Sequence, residues 1–132
     1  PIPQELKNTQ VDDGMALVVE DDQDMAQLMK IFLTKQGFKV TLADDGFKAG
    51  TLLHTLKPAL LVLDLNIPMM DGFEVMEHIR RNDDLSAVAV LVVSGLPQKE
   101  LDRALEAGAD AVLAKPFDES QFTAAVEQVL VS

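Results

Sequence analysis

LLVLDLNIPMMDG, residues 60–72, sets the terms for reading the whole chain. Leu60, Leu61, Val62 and Leu63 run without a polar break, which is the pattern of a strand buried on both faces. Asp64 then puts a carboxylate where the run should stay dry. A buried carboxylate is costly unless something pairs with it. The end of this strand therefore demands a partner, and the rest of the sequence has to supply it.

Outward from this run, short apolar segments alternate with helical periodicity. MALVVE (15–20) precedes a helix carrying Met25, Leu28, Met29, Phe32 and Leu33 at i, i+3, i+4, i+7 and i+8, stopped by Gly37. FKVTLA (38–43) precedes a helix with Ala49, Leu52, Leu53 and Leu56, ended by Pro58, and ALLVL (59–63) follows. Asp71 and Glu74 form a D-x-x-E capping box before a helix with Phe73, Met76 and Ile79 on one side. AVAVLVV (87–93) is the fourth strand. Residues 97–107 make a helix with Leu101, Ala104 and Leu105 inward, stopped by Gly108. AVLA (111–114) is the fifth strand, and the last helix carries Phe122, Ala125, Val126, Val129 and Leu130. The expected fold class is α/β: a doubly wound (βα)5, flavodoxin-like parallel sheet with helices on both faces.

The chain of 132 residues is long enough for one domain with a real core, and 48% hydrophobic content suits a compact fold. Residues 1–14, PIPQELKNTQVDDG, read as an N-terminal extension or linker and residues 15–132 as the domain. A start at Pro1 fits a processed chain or a piece of a longer one. Acidic residues outnumber basic ones 22 to 11, a net charge of −11, which repels nucleic acid and anionic lipid. Direct nucleic-acid or membrane binding is therefore not expected. With no cysteine there is no disulfide and no thiolate chemistry, which fits a cytoplasmic protein. The last helix has no basic residue for charge-paired dimerisation, so a monomer is expected.

In open parallel sheets, chemistry collects beyond the carboxyl ends of the strands. Here the first strand ends in Glu20-Asp21, the third in Asp64, the fourth in Ser94-Gly95 and the fifth in Lys115-Pro116, while the second ends in Ala43-Asp44. A strand order of 2-1-3-4-5 puts the four functional ends on one rim and the second strand at the edge. Two carboxylates about 4 Å apart repel by about 4 kcal/mol at an effective dielectric near 20, so Glu20, Asp21 and Asp64 call for cations. Lys115 supplies one. Mg2+ is the divalent ion that suits one or two carboxylates, several waters and phosphate oxygens, and a soft metal would want Cys or His. A carboxylate nucleophile, a metal site, an ammonium and a hydroxyl beside a glycine are the components of phosphoryl transfer. Asp64 reads as an exposed acceptor on a rigid central strand, and Gly95 leaves space for a donor or water.

VVEDD, LLVLDLNIPMMDG, VVSG and AGADAVLAKPF, in this order and spacing, make the chain resemble the receiver domain of two-component response regulators over about residues 15–131. The resemblance implies that Asp64 is the phosphoacceptor and that Asp21 binds Mg2+ directly, with Glu20 acting through water. It implies that Asn66 offers its backbone carbonyl to the metal and that Ser94, Gly95 and Lys115 meet the phosphoryl group. It also implies a cis Lys115–Pro116 bond and a switch role for Ser94. One position departs from the family: the aromatic residue usual three positions before the lysine is Val112, and the chain has no Tyr. The signal is then expected to pass through shifts of the loop and helix after the fourth strand.

Each of these residues has a plainer reading. Asp22 reads as a helix cap. Ser94 alone would be a turn residue, Lys115 alone a surface lysine and Asn66 alone a loop residue. His54 and His78 read as structural histidines rather than metal ligands or phosphorelay residues, and Met69 as packing. The function expected is a phosphoacceptor switch in a phosphorelay, served by a histidine kinase or a histidine phosphotransfer domain and controlling an output domain or target protein. It would not be an enzyme beyond catalysing its own phosphorylation and autodephosphorylation. Two other classes stand beside it: a phosphorylation-independent binding module, and a Mg2+-dependent phosphohydrolase with an aspartyl-phosphate intermediate. The latter usually has a second Asp two residues after the nucleophile, where this chain has Asn66.

Overall fold

The computed structural model of the chain describes residues 12–67 and 70–131. Five strands alternate with five helices: β1 (Asp12–Val19), α1 (Gln23–Lys35), β2 (Lys39–Ala43), α2 (Gly46–Leu56), β3 (Pro58–Asp64), α3 (Gly72–Arg81), β4 (Ala89–Ser94), α4 (Gln98–Glu106), β5 (Ala111–Ala114) and α5 (Glu119–Val131). A 3-10 turn at Asp83–Leu85 leads into β4. The sheet order is β2-β1-β3-β4-β5, with every pairing parallel. The expected fold class is the one observed.

Side chains alternate across the central strands and so divide the core in two. Leu17, Val19, Leu61, Leu63, Val90 and Val92 face α2, α3 and α4, where Leu53, Met76, Ile79 and Ala104 meet them. Ala16, Val18, Leu60, Val62, Leu91 and Val93 face α1 and α5, where Met29, Leu33, Phe122 and Val126 close the other layer. Strands β1, β3 and β4 are thus apolar on both sides, as their unbroken runs required. Phe122 anchors the second layer, with ring centroids 5.7 Å from Phe32 and 5.5 Å from Phe117.

Some expectations are corrected. Strand β1 begins at Asp12, ahead of the expected Met15, with Asp12 opposite Pro58 and a register irregularity before Ala16 meets Leu60. Backbone pairing needs no apolar side chain, so the hydrophobic pattern could not reveal those first residues. Leu28, Leu105 and Leu130 are exposed rather than inward (39%, 45% and 42%). Each adjoins a buried residue, Met29, Ala104 and Val129, and one residue along a helix is a rotation of about 100°. The sheet covers only one stripe of each helix. Met69 and residues 1–11 lie outside the described residues.

Helix starts follow local chemistry. The side chains of Asp22, Asp45 and Asp71 accept the N–H groups of Met25, Lys48 and Phe73, so Asp22 is the expected cap. Glu74 returns no bond to Asp71 among the described residues, and the capping box that closes is another one: Asp118 accepts from Gln121 N–H at 2.8 Å while Gln121 Oε1 accepts from Asp118 N–H at 2.9 Å. Helix α2 ends on Lys57 in the left-handed region (φ 45), because Pro58 disfavours a helical residue before it. Arg80 of α3 donates to Gly108 O (2.7 Å), Val88 O (3.1 Å) and Asp110 (3.0 Å), tying the α3 end to the entries of β4 and β5.

Candidate functional site

Parallel pairing brings the carboxyl ends of β1, β3, β4 and β5 to one rim, and β2 is the edge strand beyond β1. Glu20 and Asp21 follow β1 directly, Asp64 ends β3, Ser94 ends β4, and Lys115 follows β5. The rim is fastened by backbone bonds: Lys115 N–H donates to Ser94 O at 2.9 Å, and Glu20 N–H donates to Ala43 O at 3.0 Å. Phe117, two residues past Lys115, stacks on Phe122 of α5 and anchors that loop. The Lys115–Pro116 bond is cis.

Lys115 Nζ lies 2.7 Å from Glu20 Oε1 and 2.9 Å from Asp64 Oδ2. Both carboxylates are buried, at 2% and 3% exposure, and Asp21 beside them is exposed. Asp64 was expected to be exposed. It is instead covered, because Lys115 occupies one oxygen while Asn66 N–H donates to the other at 2.9 Å. This partner is what the dry strand end at Asp64 required.

Burial pushes the Glu20 carboxyl up to about 7, and sharing a hydrogen bond with Asp64 adds to the rise; Lys115 and the Asp22 N–H pull the other way. Lys115 shows the reverse balance. Its burial favours the neutral amine, but the hydrogen bonds and negative charges of Glu20 and Asp64 together outweigh that and raise its pKa.

Glu20, Asp21 and Asp64 each offer one oxygen, all within 4.8 Å of one another. Three hard oxygen donors, two of them buried and sharing a single ammonium, fit a hard divalent cation such as Mg2+. Asn66 is exposed, and its carbonyl oxygen accepts no hydrogen bond among the described residues.

A family model described as a response regulator receiver domain matches residues 16–127. The chain belongs to that family. As a receiver domain of two-component response regulators it is a signal-transduction module. It is 36% identical over 115 residues to the DNA-binding dual master transcriptional regulator RpaA of Synechocystis sp., covering 86% of this chain and 48% of that protein. It is 34% identical over 114 residues to the transcriptional regulatory protein TctD of Salmonella typhimurium, covering 86% of this chain and 50% of that one. The receiver domain thus spans about half the length of these curated relatives. Among solved structures, the response regulator signal receiver domain from Bermanella marisrubri superposes with a TM-score of 0.83 at 38% identity, across 92% of this chain and 100% of that chain. No helix among the described residues of the receiver domain is long and apolar enough to cross a membrane.

Ser94 and Gly95 lie on the same rim, whereas Val112 lies within β5. Ser94 is fully buried, and its Oγ accepts Leu96 N–H at 3.0 Å, which leaves its own proton free to donate elsewhere. A Cβ added at Gly95 would meet only Lys115 Cβ at 4.0 Å, so the glycine leaves open space there. Val112 sits opposite Val92 in the β4–β5 pairing and packs, partly buried, against the core face that holds α2 to α4. Two supports escaped the sequence reading. Gly72 packs so tightly that a Cβ there would come within 2.7 Å of Leu65 Cδ2, and Arg103 of α4 stacks over Phe73 of α3 at 3.9 Å. The glycine after Asp71 was a visible signal for the first; nothing local marks the second.

Proposed function

We propose that this receiver domain accepts a phosphoryl group on Asp64 from a phosphohistidine of a histidine kinase or phosphotransfer domain, in a Mg2+-dependent reaction. The observation that carries the reading is the convergence of Lys115 Nζ on Glu20 and Asp64 with Asp21 alongside. An oxygen of Asp64 attacks phosphorus in line; the O–P bond forms, the P–N bond to the donor imidazole breaks, and the imidazole leaves with the bond pair. Lys115 moves from pairing carboxylates to neutralising a phosphoryl oxygen, and the Ser94 hydroxyl donates to another. Asp21 and Asp64, with Glu20 through water and the Asn66 carbonyl, would hold Mg2+, which supplies positive charge against the phosphoryl oxygens.

Rotating the Ser94 side chain to carry its hydroxyl to a phosphoryl oxygen would move Oγ away from Leu96 N–H. The disturbance enters the loop between β4 and α4 without needing an aromatic relay at Val112. We therefore place the readout in residues 95–107, and hydrogen exchange there should change on phosphorylation. The domain acts in the cytoplasm, its catalysis is confined to its own phosphorylation and autodephosphorylation, and its own surface, at −11 net charge, is not a DNA-binding one. In relatives named for DNA binding, that role would fall to the portion this chain does not cover.

Intact-mass spectrometry after incubation with acetyl phosphate tests the reading. A single phosphoryl adduct is expected with Mg2+, and none without Mg2+ or in Asp64→Asn. Folded wild type that forms no adduct even under rapid quench would overturn it and favour a phosphorylation-independent binding module.

A further inference from the structure

The chain has only two histidines, 24 residues apart in sequence, and the fold brings them together. His54 stands in the last turn of α2 and His78 in the last turn of α3. Their sequence neighbours Leu53 and Ile79 are buried in one core cluster, on the same face of the sheet. In a βα unit the helix returns toward the amino ends of the strands, so both histidines lie at the end of the domain opposite Asp64. His54 Nε2 is 2.8 Å from His78 Nε2, with ring centroids 5.0 Å apart and planes at 74°.

Two neutral imidazoles at this distance share one N–H between their Nε2 atoms, and moving that proton to Nδ1 leaves both Nε2 atoms able to donate a lone pair. No carboxylate bonds either ring among the described hydrogen bonds. The Asn82 amide lies 3.4 Å from both nitrogens of His78 and donates to the His78 carbonyl at 2.9 Å, steadying that ring. The Lys57–Asp84 ion pair, at 3.7 Å, closes the same seam just beyond α2.

We propose that His54 and His78 form a two-imidazole site for a borderline divalent metal ion such as Zn2+, clasping α2 to α3. Zn–N bonds of about 2.0–2.1 Å at a tetrahedral angle set the nitrogens about 3.3 Å apart. That is about half an ångström wider than the 2.8 Å between them here, so the exposed His54 ring and the partly buried His78 ring would have to turn to face one ion. Binding leaves each ring its single proton, on Nδ1, and water completes the coordination. Softness separates this site from the acidic rim: imidazole favours Zn2+ or Cu2+, and clustered carboxylates favour Mg2+. The net charge of −11 raises the local concentration of either cation.

Calorimetric titration of the full chain with Zn2+, in saturating Mg2+ so that the acidic rim is occupied, tests the site. One Zn2+ should bind to wild type, and the isotherm should be lost in His54→Gln and in His78→Gln, with the folding of each variant checked by circular dichroism in chelator. The electron paramagnetic resonance spectrum of the wild-type Cu2+ complex should show two coordinated nitrogens, a readout that depends on no variant. Wild type that binds no Zn2+, binding that survives both substitutions, or a Cu2+ spectrum with oxygen ligands alone would each overturn the proposal.

Discussion

Glu20→Gln isolates the electrostatic strain stored at the rim. In the metal-free domain the Glu20 carboxyl sits at about 7 against an ordinary 4.5, chiefly through burial and then through Asp64. Below 4.5 it is protonated in folded and unfolded chains alike and adds no pH dependence. Between 4.5 and about 7 only the folded chain keeps the proton, so the fold binds more protons and stability falls as pH rises. A displacement of this size is worth about 3 kcal/mol, fully expressed above about pH 7. Glutamine keeps the shape and an acceptor for Lys115 but carries no charge. Without Mg2+, Glu20→Gln should match wild type near pH 4 and exceed it by up to about 3 kcal/mol near pH 8. In a thermal melt that is about 10 °C for a domain of this size. Urea denaturation across this range, with and without Mg2+, is the assay, and saturating Mg2+ should flatten the wild-type slope by holding Glu20 ionised. Parallel stability–pH curves for the two proteins would refute the reasoning, because the penalty would then not reside in the ionisation of Glu20.

Gly72→Ala should destabilise by about 1–3 kcal/mol in urea denaturation and slow phosphorylation, because the new methyl meets Leu65 Cδ2 at 2.7 Å next to Asp64. Gly95→Ala should stay within about 0.5 kcal/mol of wild type, since its methyl finds only Lys115 Cβ at 4.0 Å. Leu61→Ala removes a fully buried side chain of the central strand and should cost about 3–5 kcal/mol, measured by urea denaturation. Arg80→Leu leaves the Gly108 and Val88 carbonyls and Asp110 without that donor and should cost about 2–3 kcal/mol, with faster amide exchange at the entries of β4 and β5.

The sequence by itself determined the order of elements, the parallel sheet and the residues of the rim. Unbroken apolar runs such as LLVL can be satisfied only by strands covered on both faces, and helices at 3.6-residue spacing are what cover them. Once the strand order is 2-1-3-4-5, Glu20, Asp21, Asp64, Ser94 and Lys115 have one place to go. The tertiary structure decided what these groups do to one another. That Asp64 is buried, that Lys115 approaches Glu20 more closely than Asp64, and that burial lifts Glu20 toward neutrality all depend on distances and on excluded water. A residue string carries neither. Leu28, Leu105 and Leu130 were misassigned for a related reason: periodicity gives the angle of a helix stripe but not the width that the sheet covers. The meeting of His54 and His78 was invisible because nothing local to either residue marks the other. Only the placing of α2 and α3 on the same face of the sheet brings them together.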